Sequence, residues 1–534
     1  MVAPRDPGTE IALRWWERRR VAALLALLAT IPLLWPAVPP LADLPGHIAN
    51  YRAELDYAHS PALQHFYGFS WSLVGNLGVN LLVVPLARVI GLEPAVKAVV
   101  LLIPVLTVAG LLWVAREVHG KLPPTALFVL PLAYNFPFLF GFVNFALAMA
   151  LALLALALWL RLGRKERLWL RAMLFLPIAC LLWLAHVYGW GMLCVTGFSA
   201  ELVHCDDRGT KRFRAVLDAG LRCLPIALAI VPMILWRSGD VGGATEGWLG
   251  IGSKLANLAM PLRDRWIWLD LPSFLMLGGL LVWAWRNPRL AFSRSLGVAA
   301  ILLFCVYMVL PQRIFGSGYA DMRLYPYALA LALVAIRPSD TASASFRAKI
   351  AWAGIAFCLF RLAVTSYGFW LYDRSFQTEL AALDHVPVGA RLVSFVGTPC
   401  RNVWKMTRLD HLPAMAVVRR QAFSNDQWSV PGAQLLQARY REGEPFIRDP
   451  SQLVRMPGCD SKRWRTLDES LRLLPRRAFD YVWLIAPPPY DRRLTAGMVP
   501  VWRSGDSVLL RIPSLPSPGG GDHAAMPRPS TTSR

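Results

Sequence analysis

One short segment of this chain has the composition of a reactive site: Asp43-Leu44-Pro45-Gly46-His47. A carboxylate and an imidazole four positions apart suit proton transfer to or from a bound hydroxyl. Pro39, Pro40 and Pro45 hold the backbone around Asp43 out of helix until Pro45, which fits the first turn of a helix starting there. His47 is then close enough to orient or assist Asp43. The plainer alternative is that Asp43 caps that helix and His47 is a boundary side chain. Cationic candidates cluster elsewhere. Arg313 and Arg323 flank Gly316-Ser317-Gly318-Tyr319-Ala320-Asp321, and Arg263 and Arg265 close another long loop. Arg pairs bidentately with phosphate, so these four are candidates for an anionic group; headgroup anchoring or salt bridges to Asp321 or Asp264 are the alternative.

The elements that must position these residues are membrane spans. The chain has 534 residues, is 55% hydrophobic and only 17% charged, and carries 22 Trp. Apolar runs of about 20 residues, the length that crosses a bilayer as helix, recur from Val21 to Trp370. The formal charge of +22 does not indicate nucleic acid, because Lys and Arg sit in short loops between apolar runs. The predicted spans are 21–41, 95–115, 123–140, 141–160, 169–186, 187–203, 215–236, 269–285, 292–311, 323–337 and 347–370. The fold class expected is an all-α polytopic bundle of about 11 transmembrane helices with a C-terminal extracytoplasmic α/β domain.

Charge sets the orientation. Arg14-Trp15-Trp16-Glu17-Arg18-Arg19-Arg20 precedes the first run, which reads as a retained anchor rather than a cleaved signal peptide. If Ser72 to Gly91 lies along the interface instead of crossing, the basic loops at Arg161 to Arg167, Lys211-Arg212, Arg286 to Arg294 and Arg337 to Lys349 all fall inside. Asn76, Asn80, Pro85 and Arg88 favour that placement. Residues 1–20 are then cytoplasmic and 42–94 form a first outer loop. His186 and Tyr188, with Tyr134-Asn135-Phe136-Pro137 and Asn144-Phe145, lie at outer ends of spans, where they line a cavity or serve as boundary aromatics. Arg361 sits near the middle of the last span and must face the interior.

Residues 371–512 have the composition of a folded polar domain. Arg391 to Val396, Ala414 to Val418 and Tyr481 to Ile485 read as strands, and Val499 to Arg511 as a hairpin. Helices are expected near 375–384 and 465–474, and 513–534 reads as a disordered tail. Cys400 and Cys459 are candidates to pair if this domain is extracytoplasmic. The eight Cys show no metal-site spacing, and there is no phosphate-binding glycine loop.

The layout resembles the GT-C superfamily of polyprenyl-phosphate-sugar-dependent glycosyltransferases. The resemblance rests on the basic N-terminus, one span, and the acid opening the first outer loop. It extends to the amphipathic stretch Phe69 to Gly91 and the span ending Ala115-Arg116-Glu117-Val118-His119-Gly120. Asp480-Tyr-Val-Trp-Leu and Val501-Trp-Arg-Ser-Gly-Asp-Ser-Val-Leu-Leu-Arg511 look like the outer C-terminal domain of bacterial members. Asp43 departs from the paired acids of many members, having no acidic neighbour before Glu54 and Asp56. The resemblance implies a bacterial inner-membrane enzyme moving a sugar from a lipid phosphate to an extracytoplasmic lipid, glycan or protein. Asp43 is the implied base; a divalent cation is left open and no other cofactor is implied. The rival reading is a non-enzymatic scaffold, or a lipid or polysaccharide transport component of the same layout.

Overall fold

The computed structural model describes residues 13–235, 244–314, 316–400, 403–430, 434–459 and 464–513. The expected cytoplasmic residues 1–12 and the tail from 514 onward lie outside them. Among the described residues, five helices are long and apolar enough to cross a membrane: Leu92–His119, Val143–Arg164, Leu168–Ala185, Ile267–Arg286 and Ala344–His385. They match the predicted spans at 95–115, 141–160, 169–186, 269–285 and 347–370. Large apolar side chains point outward from them, among them Trp169, Leu181 and Trp285, as a lipid-facing surface requires.

Of the remaining predicted spans, 187–203 lies within the continuous 21-residue helix Val187–Asp207, and the others are shorter or interrupted. The run 21–41 is helical only over Arg19–Leu28, followed by a single 3-10 turn at Ile31–Leu33. Pro32, Pro36, Pro39 and Pro40 remove the amide donors that a continuous helix needs. The run 123–140 is a 3-10 helix, Pro124–Tyr134, then a short α-helix, Phe136–Phe140. The run 215–236 divides into Arg212–Arg222, Leu224–Ala227 and Ile230–Leu235. Helices Val187–Asp207, Arg294–Val309 and Tyr325–Val334 cover the others. The segment expected to lie along the interface forms the 13-residue helix Gly78–Ile90. At about 1.5 Å per residue it spans roughly 20 Å, short of a bilayer core.

Arg361 has a partner that the sequence did not reveal. Its Nη1 donates to Asp270 Oδ1 at 2.8 Å and its Nη2 to the Leu262 carbonyl at 2.9 Å, all three groups buried. The pairing satisfies a charge that would otherwise be stranded in an apolar bundle.

The last span does not stop at the expected domain boundary. Helix Ala344–Leu380 runs 37 residues without a break, absorbing the helix expected near 375–384. A six-stranded sheet follows, ordered Arg465–Thr466, Leu453–Arg455, Leu392–Thr398, Tyr481–Ile485, Ser507–Arg511, Val499–Ser504. The first four strands are parallel and the hairpin adds two antiparallel ones. Leu392 to Val396 and Tyr481 to Ile485 are buried throughout, which explains why both are apolar but for Ser394. Helix Leu467–Leu473 falls where a helix was expected. Ala414 to Val418 is a correction: it is helical, within Leu412–Ala414 and Met415–Arg420. Its residues are buried on every side, so no alternation marks its period, and Pro413 opens its first turn. Cys400 and Cys459 form a disulfide with their Cα atoms 5.3 Å apart.

The domain clamps onto the loop after the first helix. Tyr67–Phe69 pairs antiparallel with Leu436–Ala438, placing residues 44–69 against the sheet domain. Burial completes the contact: Tyr67 stacks on Phe423, and its hydroxyl bonds the Ser424 backbone.

Candidate active site

Asp43 is held by its backbone before its side chain enters the argument. Its N–H donates to the Phe140 carbonyl at 2.9 Å, in a turn where Gly141 adopts φ +105°. A Cβ on Gly141 would sit 2.6 Å from the Asp43 nitrogen, so the approach requires glycine. Helix Leu44–Asp56 starts at the next residue, with Pro45 in its first turn. The Asp43 carboxylate makes no capping bond to that helix. Its side chain is only 13% exposed, yet it is not spent on structure.

The carboxylate faces an imidazole from the C-terminal domain. His411 Nε2 lies 4.0 Å from Asp43 Oδ1 and 3.8 Å from Asp449 Oδ1. Its Nδ1 is 3.1 Å from the Asp426 carbonyl, and its ring packs on Trp428 at 4.4 Å. Trp428 also contacts the ring of His47 at 5.0 Å. It reaches that position because residue 46 is glycine; a Cβ there would meet the indole at 2.8 Å.

Burial pushes the Asp43 carboxyl up to about 7, with Asp449 and Asp410 adding to it and His411 and Arg323 opposing it. For His411, burial lowers the pKa, but Asp449, Asp43, Asp426 and Asp410 outweigh it and the net direction is upward. His47 is pushed down to about 3 by burial and by the neighbouring His411 and Arg323, so it is neutral. The expected assistance of Asp43 by His47 is therefore not what the structure arranges: His47 stacks on Trp428 and Tyr51, while His411 faces the carboxylate.

The candidate cations separate. Arg323 is buried, and its charge is felt by Asp43. Its Nη2 donates to Ser317 Oγ at 3.2 Å and the Gly318 carbonyl at 3.0 Å, and its guanidinium lies 3.9 Å over Phe142. Its Nε is buried without a hydrogen-bond partner. Arg313 is nearly half exposed and pairs with Glu246. Arg263 donates to the carbonyls of Trp404 and Val403, both at 2.8 Å, and stacks over Phe136. Arg265 lies over Trp266 and Tyr372. Of the four, Arg323 is the one that shares the environment of Asp43.

The other expected site residues mostly build the walls. Asp321 is buried against Lys254 Nζ at 3.3 Å and accepts from the Met322 N–H. Tyr188 donates to the Ala320 carbonyl at 2.7 Å, and His186 Nδ1 accepts from the Tyr188 N–H. Both rings pack edge-on to Phe145. Tyr319 stands at φ +57° with its ring against Phe140, partly exposed beside the site. Asn135 caps helix Phe136–Phe140 and contacts the Tyr327 hydroxyl.

Sequence reasoning missed the groups that face Asp43 from the C-terminal domain, Asp410, His411 and Asp449, and Asp426, which faces His411. Asp410-His411 directly before Leu412-Pro413 was the available hint, an acid and imidazole opening a buried helix. Among the described residues no group of three or more His, Cys, Asp or Glu side chains is placed to hold a metal ion. No step is derived through a divalent cation.

The arrangement can take a proton from a bound hydroxyl at Asp43 and stabilise an anion beside Arg323. No family model matches the chain, and no curated protein matches it. Two solved structures are similar to it. One is ArnT from Cupriavidus metallidurans in the apo state: 14% identity, TM-score 0.48, covering 92% of this chain and 97% of that one. The other is ArnT from the same organism bound to undecaprenyl phosphate: 13% identity, TM-score 0.48, covering 92% of this chain and 96% of that one.

Proposed function

We propose that the chain is a GT-C-like glycosyltransferase that moves a sugar from a polyprenyl-phosphate carrier to an extracytoplasmic acceptor. The observation that carries this reading is an uncommitted carboxylate, Asp43, sharing its environment with a buried guanidinium, Arg323, whose Nε has no partner. An acid poised near neutral pH is matched to accepting a hydroxyl proton. A buried donor without a partner is costly, and an arriving anion satisfies it.

In the step proposed, the acceptor O–H bond breaks and its proton goes to Asp43. The acceptor oxygen forms a bond to the anomeric carbon from the face opposite the phosphate. The bond from that carbon to the phosphate oxygen breaks, and its electron pair leaves with the lipid phosphate. Arg323 stabilises the charge that develops there, in a site where burial strengthens the attraction. Direct displacement inverts the anomeric centre. Tyr319, Tyr188 and His186 shape the wall beside Arg323, and Arg263, Arg265 and Arg313 serve the framework rather than the phosphate.

Placement in a bacterial inner membrane follows the same reading, with the N-terminus cytoplasmic and the C-terminal domain outside. The Cys400–Cys459 disulfide supports it, because such bonds persist in oxidising compartments. The test is transfer from radiolabelled polyprenyl-phosphate hexoses in membranes containing the protein or its Asp43→Asn variant. Loss of transfer at normal expression supports the reading. Full activity in the variant, or no transfer from any donor in the wild type, leaves the inert scaffold as the better account.

A further inference from the structure

We infer that His411 is a positioning residue for Asp43: the C-terminal domain inserts an imidazolium between Asp43 and Asp449, and docking of that domain completes the base. The inference rests on the glycosyl-transfer reading for its chemistry, though its geometry stands apart from it.

The ring has one available orientation. Nδ1 faces the Asp426 carbonyl at 3.1 Å, which requires a proton on that nitrogen. Nε2 is thereby directed at two carboxylates, Asp43 at 4.0 Å and Asp449 at 3.8 Å. Trp428 covers one side of the ring. Asp449 is itself fixed, its Oδ1 accepting from Gln452 Nε2 at 2.8 Å and its N–H donating to the Gln427 carbonyl at 2.9 Å.

The segment that delivers His411 is tied to the segment that delivers Asp43. Arg408 Nη1 donates to the Pro40 carbonyl at 2.7 Å, and Nη2 reaches Asp264 at 2.6 Å. Trp404 Nε1 donates to Asp270 at 2.8 Å, and Arg263 binds the Trp404 and Val403 carbonyls. Attachments at Val403, Trp404 and Arg408, those of Arg408 buried, hold the approach of His411 to the bundle. Structural packing alone would not need to end on a cation between two acids.

A second carboxylate gives the arrangement its use. The charged and titratable groups facing Asp43 are His411, Asp449, Asp410 and Arg323; those facing His411 include Asp426 and His47 as well. An imidazolium beside Asp43 favours its ionised form, the one that accepts a proton. When Asp43 takes the acceptor's proton, it becomes neutral and ceases to be a counterion. Asp449 remains, so His411 keeps its charge through the step and Asp43 is returned to the anion when its proton leaves to water.

The test compares wild type with His411→Gln and His411→Lys. Removing the cation moves the acid limb of kcat/KM for polyprenyl-phosphate hexose to higher pH, by about one unit, and Lys restores part of it. A residue that only packs would lower activity at every pH without moving the limb. Thermal unfolding of the purified protein from pH 4 to 9 provides a readout that does not depend on catalysis. The decline in stability that accompanies ionisation of Asp43 extends to higher pH in His411→Gln, its upper limit being the folded-state pKa, and is absent in Asp43→Asn. Superimposable pH profiles for wild type and His411→Gln overturn the inference. If Asp43→Asn retains transfer, the catalytic reading fails while the unfolding comparison still decides the role of His411. Should His411→Gln not fold, His411→Asn carries the same comparison.

Discussion

Asp43 Oδ1 lies 4.0 Å from His411 Nε2, although the two residues come from opposite ends of the chain. The contact joins the first turn after the N-terminal helix to the segment that enters the C-terminal domain. It makes the seam between bundle and sheet domain the place where charge is concentrated, with Arg323 closing it from the bundle side. The consequences can be measured one residue at a time.

Asp43→Asn should lower transfer by about 10²- to 10⁴-fold, the range expected for a general base. Expression and folding should be normal, since the carboxylate makes no capping bond. Initial rates in membranes, normalised to protein present, check this.

The same variant should change how stability depends on pH. The Asp43 carboxyl is raised from its ordinary 3.8 to about 7, mainly by burial. Between those values the folded protein holds more protons than the unfolded chain, so stability falls as pH rises through the window. Asn cannot ionise and removes that fall, worth up to roughly 4 kcal/mol for a shift of this size. Unfolding midpoints at pH 5 and pH 8 should therefore converge in the variant, with the gain at pH 8.

Arg323→Ala should reduce kcat/KM by about 10- to 100-fold, the loss of one or two charge-assisted hydrogen bonds. Arg323→Lys should recover little, because an ammonium cannot keep the contacts to Ser317 and Gly318 and also reach an anion. The same rate measurements across both variants decide it.

Gly141→Ala should destabilise the fold by about 2 kcal/mol from the backbone conformation alone. The added Cβ would also displace the Asp43 nitrogen 2.6 Å away, so activity should fall more than stability predicts. Thermal unfolding and transfer rates on one preparation separate the two effects.

Asp264→Asn should cost about 3–5 kcal/mol by leaving the buried Arg408 unpaired. Arg408 also holds the Pro40 carbonyl, so the first site to loosen should be the seam. Faster proteolysis between the last span and the sheet domain would show it; unchanged cleavage would mean the latch is not there.

Several of these features are legible in the amino-acid sequence alone. Asp43 stood out because an acid followed by Pro and His after an apolar run is an unusual place to put a charge. The two central strands were visible as runs apolar but for Ser394, and the hairpin as two strands around Ser504-Gly505-Asp506. Other features could not be read. The first helix ends at Leu28 because four prolines follow, yet hydropathy alone gave a run to Leu41. Ala414 to Val418 looked like a strand because a fully buried segment has no polar face to betray its period. Asp321 and Arg323 lie two residues apart, but one turns into a pair with Lys254 and the other toward Asp43.

What the residues determined unaided was local: where apolar runs are long enough to cross a bilayer, and where an acid must surface beside them. Those follow from the length of a span and the cost of burying charge, which act on each segment separately. What only the tertiary structure decided was the company of that acid. His411, Asp449 and Arg323 reach Asp43 through docking of distant segments, and each is an ordinary residue in its own sequence neighbourhood. Proximity between far-separated groups is set by packing of whole elements, a quantity that no window along the chain contains.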